Sequence, residues 1–193
     1  MKAIRSLLIV ALITALQLNL LQAQGVSVKN YDFTVSGTST LHDWESRVEK
    51  IECNASLVIV NNALSDVERL VVTIPVKAIK STKGKIMDNK TWEAFHYEKY
   101  PSITFTLTQR TLNVSDHSIE VTGDLTMAGV TRRIQFTAAY KSLPDGDMEV
   151  IGSKQLRMTD FKMEPPTAMM GTIKVGDQIT IAFQLVLTQN QTL

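Results

Sequence analysis

The chain has 193 residues, 44% of them hydrophobic and 20% charged, with 20 Lys and Arg against 19 Asp and Glu. So balanced a charge lacks the basic footprint of a nucleic-acid binder, and so apolar a composition excludes a disordered chain. The length suits one domain with a sizeable core.

Lys2 and Arg5 form a basic start, residues 7–21 form an apolar run, and Leu21-Gln22-Ala23 is an imperfect small-residue cleavage site. The pattern predicts a signal peptide over residues 1–23 and a mature domain over 24–193. The alternative is a membrane anchor, which needs roughly 20 apolar residues; Thr14, Gln17 and Asn19 interrupt this shorter run. The expected location is periplasmic or secreted, with no stable membrane anchor after cleavage. Cys53 is the only cysteine, so no internal disulfide is possible. It shares period-two spacing with Ile51, Ala55 and Leu57 and reads as a buried structural thiol.

Residues 28–35 predict a modest first strand that Gly37 breaks, and His42-Asp43-Trp44 crosses its end. Ile51, Cys53, Ala55, Leu57 and Ile59 alternate with more polar neighbours, the mark of a strand with one buried face. Leu70, Val72, Ile74 and Val76 repeat the pattern. The period then changes: Ile86, Trp92, Ala94 and Phe95 suit a short helix, with Asp88 as the expected N-cap. Ile103, Phe105 and Leu107 return to alternation, as do Ile119, Val121, Leu125 and Met127, with Gly123 marking a bend or a close approach. Ala128-Gly129 is a hairpin signal before Ile134, Phe136 and Ala138. Pro144-Asp145-Gly146 is a turn, residues 148–158 are a further strand, and Ile179, Ile181, Phe183, Leu185 and Leu187 end the chain on its cleanest alternation.

Between them, residues 159–176 cannot be regular structure, because Pro165-Pro166 removes two backbone donors. Yet the stretch carries Phe161, Met163, Met169, Met170 and Ile173, which predicts an ordered loop packed on the end of a β-structure. About eight strands, one short helix and short turns indicate an all-β fold, an antiparallel barrel or sandwich. The inward positions are medium-sized and aromatics are only 6%. Both an apolar cavity and a filled interior are compatible with that.

Four stretches then line up with a family: residues 37–44 (GTSTLHDW), 87–105 (MDNKTWEAFHYEKYPSITF), 123–134 (GDLTMAGVTRRI) and 158–183 (MTDFKMEPPTAMMGTIKVGDQITIAF). The mature chain resembles the YceI-like domains, lipocalin-like barrels associated with polyisoprenoid and similar long-chain lipids. The resemblance implies an eight-stranded antiparallel extended barrel with one short helix. It also implies a central lipid tunnel and a long-chain partner, isoprenoid or acyl. The expected tunnel residues are Ile74, Phe105, Leu125, Phe136 and Phe183, on the apolar phase of their strands, with Met163, Met169 and Met170 from the closing loop. His42 and Trp44 are expected at a polar mouth.

The remaining constellations carry less. His42, His96 and His117 have no metal-ligand spacing, and no GxSxG, P-loop or GxGxxG motif occurs. No cofactor and no catalytic residue are expected, although His42 beside Asp43 leaves an acid–base pair as the rival. A packed envelope protein is a further alternative. Arg132, Arg133, Lys154, Arg157 and Lys162 would either meet a lipid headgroup or simply form solvated strand faces, the simpler reading. The sequence leaves oligomeric state open, a dimer included.

Overall fold

The alternating stretches assemble into one antiparallel sheet that closes on itself. The computed structural model describes residues 24–60 and 63–190; the expected signal peptide lies outside these. The strands are β1 (Gln24–Ser39), β2 (Trp44–Val48), β3 (Glu52–Val60), β4 (Ala63–Pro75), β5 (Ile79–Ser81), β6 (Ser102–Asn113), β7 (Ser118–Met127), β8 (Val130–Ser142), β9 (Met148–Arg157), β10 (Thr167–Ala168) and β11 (Ile173–Gln189). Among the described residues one α-helix, α1, spans Lys85–Ala94. The wall runs β1-β3-β4-β6-β7-β8-β9-β11, and β11 returns to pair with β1 along its length. This is a closed eight-stranded antiparallel barrel, in which every wall strand has a paired neighbour on both sides over part of its length. The short β2 and β5 extend the sheet beside the far half of β1, where Thr34–Gly37 pairs with Trp44–Arg47.

Period two explains the packing. Ile119, Val121, Gly123, Leu125 and Met127 of β7 all face the buried side, and their neighbours face out. The hairpin between β7 and β8 uses Ala128 and Gly129 at φ 47° and 77°, the left-handed pair that a tight two-residue turn requires.

Three local expectations are corrected. Gly37 does not break β1, which continues to Ser39 with Gly37 opposite both Trp44 and Ile179. Its glycine serves close approach, since a Cβ there would lie 2.7 Å from the Trp44 ring. Asp88 is not the N-cap of α1; Gly84 at φ 91° holds that position. Asp88 instead lies buried in the first turn, where its carboxylate accepts the Ser81 N–H at 2.7 Å and faces Lys80 Nζ at 3.7 Å. Ile86 points to solvent rather than joining the apolar face.

The helix is too short to hold itself and depends on its anchors. Phe95, at its C-terminal end, is buried in the core. The half-buried Trp92 donates its indole N–H to the Ile79 carbonyl at 3.1 Å, beneath Lys80 Nζ at 4.3 Å from the ring centroid. Together they fix α1 across one end of the barrel.

Candidate functional site

The inward faces of the wall do not fill the barrel. They enclose a chamber of about 180 Å³, and a second of about 190 Å³ lies at the α1 end. The two meet at Val35, Ile79, Phe95 and Ile179, which line both. Together they reach the range of ~300–1,000 Å³ usual for ligand sites.

The inner chamber is almost wholly apolar. Ile74, Phe105, Leu125, Phe136 and Phe183 all line it, as the strand phases require. Sequence reasoning missed Phe33, which stacks on Phe183 with centroids 6.0 Å apart. Phe183 meets Phe136 edge-on at 5.8 Å, and Phe136 meets Phe105 at 5.7 Å. Four rings from β1, β11, β8 and β6 thus form a continuous band, favoured by aromatic edge and offset contacts. Two glycines make room for it. A Cβ at Gly123 would lie 2.2 Å from the Phe105 ring, and one at Gly152 would lie 2.5 Å from the Phe183 ring.

Cys53 also faces this chamber, and burial pushes its thiol up to about 11, so it stays neutral and unreactive at physiological pH. Among the described residues the chamber's one charged lining residue is Lys154. It lies on the inward phase of β9, between Gly152 and Leu156, although the sequence reading favoured a solvated strand face. The signal was present: Met148, Val150, Gly152, Lys154 and Leu156 share one period-two set.

The outer chamber is mixed. His42, Trp44, Ser46, Ser81, Lys83 and Lys90 face it alongside Met87, Met158, Met163 and Pro166. His42 and Trp44 are therefore at one mouth together. The GTSTLHDW stretch makes a corner there: Ser39 Oγ accepts the His42 N–H at 3.2 Å, and Trp44 donates its indole N–H to the Thr38 carbonyl at 3.1 Å. His42 Nδ1 is bonded to the Asp43 backbone carbonyl at 2.8 Å, not to a carboxylate. The two residues are not arranged as an acid–base pair. Among the described residues no three His, Cys, Asp or Glu side chains converge to hold a metal.

The closing loop splits into two parts. Met158, Phe161 and Met163 are buried, and Met163 lines the outer chamber. The base of the loop is held by Thr159, whose N–H and hydroxyl donate to the Asp177 carboxylate at 2.9 and 2.7 Å. Burial pushes the Asp177 carboxyl up, but these bonds outweigh it and the group titrates below its ordinary value. Met169 and Met170, however, are 73% and 107% exposed and line neither chamber. The expectation that they reach a tunnel is corrected. They form the tip of the β10–β11 hairpin with φ 52° and 54°, a left-handed turn that carries both side chains away from the barrel.

A closed antiparallel barrel around a divided apolar interior, capped by one short helix, is the architecture of a lipocalin-like barrel. Residues 21–187 match the YceI-like domain, and the chain belongs to that family. Solved structures agree on the fold. BcnA of Burkholderia cenocepacia is 17% identical, with a TM-score of 0.67 over 84% of this chain and 99% of its own. The YceI protein of Campylobacter jejuni is 19% identical, with a TM-score of 0.58 over 91% and 88%. A polyisoprenoid-binding domain from Saccharophagus degradans, implicated in plant cell wall breakdown, is 11% identical, with a TM-score of 0.62 over 87% and 99%. No curated protein matches the sequence.

Proposed function

We propose that this protein is an exported carrier that holds the tail of a long isoprenoid, or a similar amphiphile, inside its barrel. The observation that carries this reading is the inner chamber: about 180 Å³ of space walled by apolar side chains. Left empty in a packed core, such a volume costs on the order of 4 kcal/mol, and apolar space of this kind takes up apolar molecules rather than water. Each methylene buried there gains roughly 0.8 kcal/mol. The family and the polyisoprenoid-binding neighbour support the choice of an isoprenoid. At the mouth, His42 Nδ1 is engaged by the Asp43 backbone carbonyl, and among the described residues no carboxylate pairs with it. Residues 1–23 supply the export signal in this reading.

The test is mass spectrometry of protein purified from the periplasm without detergent. A co-purifying long-chain lipid, and a mature N-terminus at Gln24, are expected. An empty barrel that also fails to take up added geranylgeraniol would overturn the binding role. An unprocessed N-terminus would overturn the export role.

A further inference from the structure

The barrel wall has a break beside the aromatic band. β8 and β9 pair only from Ala138–Gly152 to Ser142–Met148. Beyond that point both strands continue, β8 on β7 as far as Val130 and β9 on β11 as far as Arg157, but not on each other. Continued register would set Phe136 against Lys154 and Ile134 against Leu156. The gap is closed at its far end, where Arg132 Nε donates to the Asp160 carbonyl at 2.8 Å. What lies between is a window in the hydrogen-bond ladder, an unpaired stretch of wall.

Lys154 occupies that window. It lines the inner chamber from within and also an outer groove with Arg133, Gln135, Arg157, Asp160 and Gln178. Among the described residues no carboxylate or carbonyl pairs with its ammonium. The residue is half-buried, and a lysine stem can lie along apolar wall while its head reaches a polar groove. The groove's other lining charges are Arg133, Arg157 and Asp160. Arg133 is held by Asp124 at 3.0 Å and Arg157 faces Asp177 electrostatically. The one carboxylate lining the groove, Asp160, belongs to an exposed residue.

We propose that this window is a side port, and that Lys154 anchors the acidic oxyanion head of the amphiphile whose tail fills the inner chamber. The head is a phosphate or a carboxylate, and Arg133, Arg157 and the Gln135 and Gln178 amides surround it. The proposal rests on the lipid-binding reading above. It places the polar end of the ligand at the side of the barrel rather than at the His42 and Trp44 mouth.

The experiment compares geranylgeranyl monophosphate with geranylgeraniol, the same tail with a charged or a neutral head, by equilibrium binding to the full mature chain. The intact protein should prefer the phosphate by about tenfold, and the preference should shrink as salt rises. Lys154→Met should remove the preference for the phosphate over the alcohol; Lys154→Arg should keep it. Inorganic phosphate at millimolar concentration should not displace the bound ligand, and if it did, the window would be a site for free anions and the headgroup assignment would fall. Equal affinity for both probes, or an unaltered preference in Lys154→Met, would overturn the port while sparing the lipid-binding reading. Loss of the preference in Lys90→Met instead would put the head at the other mouth. Failure of the intact protein to bind either probe would overturn that reading itself and the port with it.

Discussion

Two of the places where neighbouring wall strands stop pairing, β4–β6 and β8–β9, are treated differently. At the first, β4 and β6 are laddered only over Val71–Pro75 and Ser102–Thr106. Beyond that, the gap is stapled outside by Arg110, whose guanidinium donates to both Asp66 oxygens at 2.9 and 2.6 Å, and is backed inside by the buried Leu64 and Val67. At the second, between β8 and β9, no such staple spans the middle of the gap among the described residues, and the residue behind it is Lys154. One break is sealed by a paired fork over apolar side chains. The other sets an unpaired cation between water and an apolar chamber. The lesson is that a missing ladder does not by itself make an opening; the side chains placed behind it decide.

The largest expected effect lies in the glycines beside the two breaks. Gly123, on β7 against β6, would place a Cβ 2.6 Å from the Thr106 carbonyl oxygen, a backbone atom that cannot move aside. Gly123→Ala should cost about 2–3 kcal/mol by overpacking. For Gly152, on β9, the three nearest atoms all belong to the Phe183 ring, a side chain that lines the chamber, so Gly152→Ala should cost about 1 kcal/mol and reduce lipid uptake. Urea midpoints read the first and lipid co-purification the second. Equal costs would show that the two sides of the barrel are equally rigid.

Smaller and opposite in sign are the effects at the two cations. Arg110→Ala should destabilise by somewhat less than 1 kcal/mol, because the pair is about a third exposed and solvent screens it. Lys154→Met should leave stability unchanged or raise it by about 0.5 kcal/mol, since it removes an uncompensated charge from an apolar wall. A destabilised Lys154→Met would mean that the lysine holds the wall together. The first pair also sets a pH dependence. The Arg110 guanidinium holds the Asp66 carboxyl below its ordinary value of 3.8. Its contribution is therefore complete above that value and is lost as the pH falls through the lower folded-state value. The stability difference between the native chain and Arg110→Ala should vanish in that acid window and be constant at neutral pH.

The smallest effect is expected at the hairpin tip. Met169→Glu with Met170→Glu should change neither the unfolding midpoint nor the bound lipid, because both side chains are in water. Loss of lipid from a folded double variant would show that the tip reaches the mouth chamber when a ligand is present.

Much of this was legible in the chain itself. Period-two alternation located the wall strands, and it assigned Ile74, Phe105, Leu125, Phe136 and Phe183 to the inside, because a strand's side chains must alternate between two faces. The hairpin at Ala128-Gly129 was equally plain, since few dipeptides accept its backbone. Local rules failed where a distant strand intervened. Gly37 reads as a breaker until Trp44 is seen to need its space. Asp88 reads as a cap until Ser81 is found in front of its carboxylate. Met163 and Met169 look alike in sequence, yet one is buried and the other is at a turn tip.

The sequence by itself determined that the chain would form an all-β fold with an apolar inner face, because alternation is a property of each strand alone. Only the tertiary structure decided that the inner face encloses two chambers rather than a filled core, that the Phe33–Phe183–Phe136–Phe105 rings meet, and that the wall parts at Lys154. Each of these depends on the register between strands far apart in the chain. Register is set by closure of the whole barrel, a constraint that no single segment carries.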